Sequence, residues 1–294
     1  MYLRFEIMKL ALNTLVYEVG NKGPDESLRS AVKYGFKYIE YAGIRKGNPL
    51  TMTTQQKKEA VQIVKDNDIH STQLLLVATK DTANPDSKKR DVVFDYMKAC
   101  ADFQMELGGR QLLVCWGGGL YELGVSPEQS WLYMLENVGR FAEWCLDKNL
   151  LVGIELDPHV YFICNNTYKL AKAVEDIGLP NVYPNIDVGH LVITREEPAQ
   201  LEKLKNRMLH IHLSETESFA HTNSILGTGV VPFRQYVDKC LELGIEENCA
   251  KMGEPCVAGI EMGSEASGGF VENPDYWVEE SLKFLEKELP HVTR

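Results

Sequence analysis

Val152-Gly153-Ile154-Glu155-Leu156 is a short apolar, β-branched segment with a carboxylate at its end, and three more segments of the same build follow it. Val182-Tyr183-Pro184-Asn185-Ile186-Asp187, Met208-Leu209-His210-Ile211-His212 and Val257-Ala258-Gly259-Ile260-Glu261 close on Asp187, His212 and Glu261. Ionisable groups at the ends of buried strands are costly to keep there unless they are paired or hold a metal. Three carboxylates and one imidazole make a recognisable divalent-cation site. Three oxygens and one nitrogen are a hard to borderline donor set, suited to one Mn²⁺, Mg²⁺ or Co²⁺ ion, with Zn²⁺ also compatible.

Strand alternation sharpens this reading, because side chains two apart share a face. Gly153 and Glu155 lie on one face of their segment, and Gly259 and Glu261 on the matching face of theirs. Asn185 with Asp187, and His210 with His212, are paired in the same way. The glycines are expected to leave room, one layer below the carboxylates, for the larger Asn185 and His210.

Working outward from these segments, apolar runs alternate with longer amphipathic stretches over the whole chain, the pattern of βα units around a parallel sheet. Strands are expected near 9–16, 37–43, 71–78, 111–116, 151–156, 182–187, 208–213 and 256–262. Helices are expected near 25–35, 53–67, 87–107, 127–148, 167–177, 197–206, 232–243 and 275–288. Pro24-Asp25-Glu26 and Ser126-Pro127-Glu128 read as helix starts; Tyr34-Gly35, Leu107-Gly108-Gly109 and Leu243-Gly244 read as helix ends. Eight such units can close into a (β/α)8 TIM barrel or lie open as a doubly wound sheet. No GxGxxG follows the first strand, and only the closed barrel brings four consecutive strand ends round one axis, at the C-terminal face where barrel active sites lie. The expectation is therefore an α/β, (β/α)8 barrel forming a single domain over residues 1–294.

Bulk composition narrows the function. The chain has 294 residues, 42 acidic against 31 basic, for a formal charge of -11. Lys88-Lys89-Arg90 is its longest basic run, which argues against a nucleic-acid partner, since phosphate neutralisation dominates such binding. No apolar run is long enough for a membrane span. Ile7-Met8-Lys9-Leu10-Ala11-Leu12 is split by Lys9 and reads as a strand rather than a signal peptide. Seven cysteines without a CxxC pattern fit reduced, buried thiols and a cytoplasmic location.

The motifs from Gly153-Ile154-Glu155 through Asn185-Ile186-Asp187-Val188-Gly189-His190, His210-Ile211-His212, Leu226-Gly227-Thr228-Gly229 and Gly259-Ile260-Glu261 resemble the xylose-isomerase-like TIM-barrel superfamily. That group includes D-tagatose 3-epimerase, hydroxypyruvate isomerase, the inosose dehydratases and endonuclease IV. The βα order extends the resemblance over the whole chain; its specific motifs lie within 150–265. It implies that Glu155, Asp187, His212 and Glu261 bind one divalent ion, and that His190 contacts substrate. It implies further that Glu155 and Glu261 are the catalytic acid–base pair of a sugar isomerase or epimerase acting on a small ketose or hydroxy-ketone. Proton transfer would run through an enediolate stabilised by the ion. A lyase is the implied alternative, a dehydratase of a keto-inositol or related keto-polyol; a barrel that binds metal or sugar without turnover is a third. The epimerases carry a Glu six residues after the first ligand and an Arg six after the His ligand, where this chain has Tyr161 and Ser218. Endonuclease IV places histidines after its third and fourth strands, where Leu74-Leu75-Leu76-Val77-Ala78 and Leu113-Val114-Cys115-Trp116 have none. Many relatives are dimers or tetramers, so a homo-oligomer is an expectation by analogy.

Four further residues are candidates for substrate contact. His190 follows a ligand by three, Trp116 precedes Gly117-Gly118-Gly119 and could wall off a sugar's apolar face, and His159 sits in the loop after Glu155. Glu40, in Tyr38-Ile39-Glu40-Tyr41, could line the rim or form a salt bridge. Gly227-Thr228-Gly229 reads as a tight turn, with a phosphate cradle as the alternative.

Overall fold

The computed structural model describes residues 8–263 and 270–294. Eight parallel strands close into a barrel in sequence order. They are β1 (Lys9–Asn13), β2 (Tyr38–Ala42), β3 (His70–Leu76), β4 (Gln111–Val114), β5 (Leu151–Glu155), β6 (Val182–Asp187), β7 (His210–Ser214) and β8 (Val257–Glu261). Every expected strand is present, each ending within a few residues of its expected end. Of the Ile7–Leu12 run, Ile7 lies outside the described residues; the rest leads into or belongs to β1. The barrel closes where β1 meets β8, with Ala11 opposite Gly259.

The helices are α1 (Leu15–Val19), α2 (Pro24–Lys33), α3 (Thr54–Asp66), α4 (Ser87–Glu106), α5 (Pro127–Leu146), α6 (Thr167–Ile177), α7 (Val188–Ile193), α8 (Phe233–Glu242), α9 (Ile245–Met252) and α10 (Pro274–Glu288). Their starts follow local chemistry: the side chains of Thr53, Asp86, Ser126 and Asn166 each accept a hydrogen bond from a first-turn N–H. Each such cap is worth about 1 kcal/mol. Gly35, Gly108 and Gly244 adopt the positive φ expected after a helix end.

Two differences from the expected pattern matter. The helix expected at 197–206 is a 3₁₀ segment over Pro198–Lys203 that buries only Leu201, too small an apolar stripe to sustain a longer helix. Its place against the barrel is shared by α7, which begins directly after β6 because the Asp187 side chain caps it, accepting from the His190 N–H at 2.9 Å. A residue expected as a ligand therefore also starts a helix.

The packing between strands and helices is apolar, but the barrel interior is not. Asn13, Glu40, Gln73, Gln111, Asn185, His210 and His212 are all fully buried there. The glycines on the inner face do make room, although for different residues than expected. A Cβ on Gly153 would meet the Tyr183 ring at 2.8 Å, and a Cβ on Gly259 would lie 1.6 Å from Glu40 Oε1. Barrel layers are filled from alternate strands, so the space beside Gly259 is taken by Glu40 reaching across from β2, and not by His210 from the adjacent strand.

Candidate metal centre at the barrel mouth

Glu155, Asp187 and Glu261 are the last residues of β5, β6 and β8, and His212 lies in the middle of β7. All four are buried, and one ligand atom from each lies within 4.8 Å of the others. The chain thus brings its four expected ligands together.

Each side chain is held by one part and left open at another. Asp187 Oδ1 accepts from Ser214 Oγ at 2.5 Å and from the His190 N–H, while Oδ2 is buried with no hydrogen-bond partner. Glu261 Oε1 accepts from Asn223 Nδ2 at 3.2 Å; its Oε2 lies 2.6 Å from His212 Nδ1 without hydrogen-bond geometry. Glu155 Oε1 accepts from Asn185 Nδ2 at 3.2 Å and lies 2.9 Å from the same His212 nitrogen. One ring nitrogen cannot satisfy several carboxylates. Buried acceptors without donors are costly, and a divalent cation at their centre removes that cost; the donor set therefore fits such an ion. Burial raises Glu155 to about 7 despite the opposing pull of His212, and burial raises Asp187 as well.

Directly below lies a second, paired group. Glu40 Oε1 accepts from His210 Nε2 at 2.5 Å, and Oε2 accepts from Asn13 Nδ2 at 2.9 Å and lies 3.3 Å from His212 Nε2. With Nε2 turned toward Glu40, and toward Gln73 Oε1 at 3.1 Å, His212 presents Nδ1 to the carboxylates above. A carboxylate behind a ligating histidine fixes its tautomer and raises its basicity. Burial works against the Glu40 charge, but His212 and His210 outweigh it and hold the carboxyl down at about 2. His212 is held well above its ordinary range: burial opposes its charge, and Glu40 and Glu261 overcome it. Glu40 consequently does not line the mouth. It is fully buried, with its carboxylate in the space Gly259 leaves empty.

The polar interior continues downward. Gln73 Nε2 donates to Asn185 Oδ1 and to Tyr183 Oη, Tyr183 donates to Gln111 Oε1 at 3.0 Å, and Gln111 donates to Glu254, which pairs with Arg110 at 2.9 Å.

Opposite the ligands the chamber is apolar. Leu75, Leu113 and Cys115 form a small cluster of their own, with Val77 and Trp116 packed against it. Trp116 has φ +61 and is followed by three glycines with φ of 55, 74 and 131, a sparsely populated backbone run that surrounding contacts must hold. Trp116 Nε1 donates to the Val77 carbonyl, and Asp157 Oδ2 accepts from the Gly117 N–H at 2.6 Å. The Cys164 and Ile163 N–H groups bond Gly117 O and Gly119 O. A Cβ on Gly117 would lie 2.9 Å from Cys164 O. These bonds join the loops after β4 and β5.

His190 is buried in the first turn of α7. Its Nδ1 lies 2.6 Å from the Leu156 carbonyl and therefore carries the proton, leaving Nε2 to accept from His221 Nε2 at 2.8 Å. Burial pushes His190 down to about 4; burial and then His190 push His221 down to about 3. Both rings are neutral at physiological pH.

Trp116 and His190 line the chamber with the ligands Glu155 and Glu261. His159 stands farther out, stacked on Tyr161 with ring centroids 5.4 Å apart, and 6.1 Å from His221. Asp157, His221 and Asn223 also line the chamber but were not singled out from the sequence. Asp157 carried a usable signal, lying two residues beyond a ligand. His221 and Asn223 lie in a loop without periodicity. Gly227-Thr228-Gly229 is a turn filled by Glu215, whose carboxylate accepts from the Gly227 N–H at 2.8 Å and the Val231 N–H at 3.1 Å. A phosphate has no room in that nest.

No helix among the described residues is long and apolar enough to cross a membrane. The family pattern described as xylose isomerase-like TIM barrel matches residues 28–288. Among curated proteins, fructoselysine 3-epimerase of Escherichia coli O157:H7 is 21% identical over 168 residues, which is 56% of this chain and 60% of that protein. The match thus spans less than two thirds of that relative. Among solved structures, a D-tagatose 3-epimerase-like protein superposes with a TM-score of 0.78 at 17% identity, covering 97% of this chain and 98% of the other. The IOLI protein, solved with a zinc atom, gives 0.73 at 16% identity, covering 96% and 99%. At such identities the structural likeness establishes the fold.

Proposed function

The chain belongs to the xylose isomerase-like TIM barrel family, and on that premise we propose that it is a divalent-metal-dependent sugar epimerase or isomerase, with Glu155 and Glu261 moving a carbon-bound proton of a small ketose or related hydroxy-ketone. The observation that carries this reading is the convergence of one ligand atom from each of Glu155, Asp187, His212 and Glu261 to within 4.8 Å of one another, all buried, with Asp187 Oδ2 and Glu261 Oε2 left without a hydrogen-bond partner. Mn²⁺, Mg²⁺ or Co²⁺, with Zn²⁺ also accommodated, would supply Lewis-acid polarisation of a substrate carbonyl there.

The chain's own groups account for the rest. A carboxylate is suited to take up and return a proton, and Glu155 reaches the chamber from the end of β5. Glu261, arriving from β8 rather than β5, offers a second carboxylate from a different direction. Asn185 and Asn223 each donate to one of the two and fix its orientation. The neutral pair His190 and His221 gives a polar edge for sugar hydroxyls, and Trp116 with Phe162, ring centroids 5.9 Å apart, gives an apolar wall. The similar proteins, a fructoselysine 3-epimerase and a D-tagatose 3-epimerase-like protein, bear the names of this reaction class.

The test is metal analysis of wild type beside Glu261→Gln and His212→Ala, each then incubated in heavy water with a panel of ketoses and keto-inositols. One divalent ion per chain in wild type, lost or weakened in both variants, with metal-dependent deuterium entering a sugar carbon, is the expected result. Failure to bind any of the four ions would sink it, and loss of water from the substrate would redirect the reading to a lyase.

A further inference from the structure

A cation at the mouth would satisfy Asp187 Oδ2 and Glu261 Oε2, but it leaves two other buried acceptors of the same chamber without donors. They are His221 Nδ1 and Asn223 Oδ1. Both residues lie on the loop after β7 and line the chamber, and neither is among the four that converge on the ion.

The neighbours of these two atoms dictate their polarity. The Leu156 carbonyl can only accept, so the proton of neutral His190 sits on Nδ1 and its Nε2 is bare. His221 Nε2, 2.8 Å from that bare nitrogen, must therefore donate, and the neutral His221 ring is left with Nδ1 as an acceptor. Asn223 reaches the same state by another route. Its Nδ2 donates to Glu261 Oε1 at 3.2 Å, and turning the amide over would set two oxygens against each other, so Oδ1 is left as a free acceptor. The backbone holds this arrangement: Asn223 is buried at φ 41, its carbonyl accepts from the Gly263 N–H at 2.7 Å, and the Glu215 carboxylate gathers Gly227 and Val231 of the same loop. The donors Trp116 Nε1, His190 Nδ1 and His221 Nε2 are already engaged with protein acceptors.

We propose that His221 Nδ1 and Asn223 Oδ1 are specificity-determining acceptors, each receiving a hydrogen bond from a substrate hydroxyl beyond the carbons that react. The proposal rests on the chamber being the reaction site. A substrate O–H, His221, His190 and the Leu156 carbonyl would then form one chain of hydrogen bonds running in a single direction, which only a donor can begin. A site built around a hydroxyl rejects the analogue lacking it, because the buried acceptor is left unpaired.

The test is calorimetric titration of the Mn²⁺-loaded protein with D-fructose, D-tagatose, D-allulose and 2-keto-myo-inositol, followed by the monodeoxy analogues of the tightest binder. Wild type is compared with His221→Phe, which removes one acceptor, and Asn223→Gly, which removes the other while suiting the positive φ. The expected result is that loss of either of two hydroxyls weakens binding to wild type about tenfold. His221→Phe should bring the ratio of parent to deoxy analogue to about one at the first position, and Asn223→Gly at the second. His221→Gln, which can still donate to His190 and accept from a hydroxyl, should restore the ratio. Variants that weaken parent and deoxy analogues equally, no discrimination in wild type, or no measurable binding of any of the four compounds would each overturn the proposal. Hydroxyl-selective binding without deuterium exchange would sink the proton-transfer reading and leave these acceptors standing; exchange without selectivity would do the reverse.

Discussion

Two layers of the barrel interior are built from the same residue types and differ in their accounts of donors and acceptors. In the lower layer Glu40 meets Asn13, His210 and His212, and both its oxygens are used. In the mouth layer Glu155 and Glu261 crowd one imidazole nitrogen with Asp187 beside them, and buried oxygens of Asp187 and Glu261 have no hydrogen-bond donor. The difference teaches what each is for. The Glu40 pair holds its partners in place, whereas the mouth layer keeps buried acceptors that a cation would satisfy. His212 belongs to both layers and transmits the order of the lower to the upper.

The comparison breaks most sharply at Gly259. Alanine there would put a methyl carbon into the Glu40 carboxylate, and overpacking of this kind costs about 3 kcal/mol. Gly259→Ala should therefore lower the urea midpoint clearly and weaken metal binding as well, because Glu40 must move. A midpoint within error of wild type would mean that the lower layer is loosely packed and does not order the one above. Glu40→Gln is the gentler probe. It keeps the shape and removes the charge behind His212, so metal affinity should fall about 10- to 100-fold. Unchanged affinity on metal titration would make Glu40 a purely structural partner of His210.

The smallest effect is the pH dependence of the ion-free protein, where the two layers carry opposite signs. Glu155 is raised from its ordinary 4.5 to about 7, so the folded state binds its proton more tightly than the unfolded chain. Its contribution is present below pH 4.5 and lost as pH rises to about 7. Glu40 is lowered from 4.5 to about 2, so its contribution is present above pH 4.5 and lost as pH falls toward 2. Urea unfolding of wild type against Glu155→Gln should show wild type losing ground between pH 4.5 and 7. Against Glu40→Gln it should lose its advantage only below 4.5. The same sign in both windows would contradict the division into layers.

Much of this was legible in the chain because its signals are local. Strand ends at 155, 187 and 261 are marked by a carboxylate after alternating apolar residues, and helix starts at Thr53, Ser126 and Asn166 by a capping side chain. The short helices α1, α7 and α9 escaped because segments of five to eight residues carry too few turns for a 3.6-residue period to emerge. Glu40 was ambiguous for a different reason: its partner His210 is 170 positions away, and nothing within either segment signals the other.

The sequence by itself determined the number of βα units, the closed barrel and the four candidate ligands, since strand alternation and desolvation cost act over a few residues and leave their mark in residue order. Only the tertiary structure decided that Glu40 belongs beneath the ligands, that Tyr183 and Glu40 occupy the space of Gly153 and Gly259, and that His190 pairs with His221 across the mouth. Those outcomes depend on which side chains meet when the barrel closes and alternate strands share a layer, and a distance across the barrel is not written in any single segment.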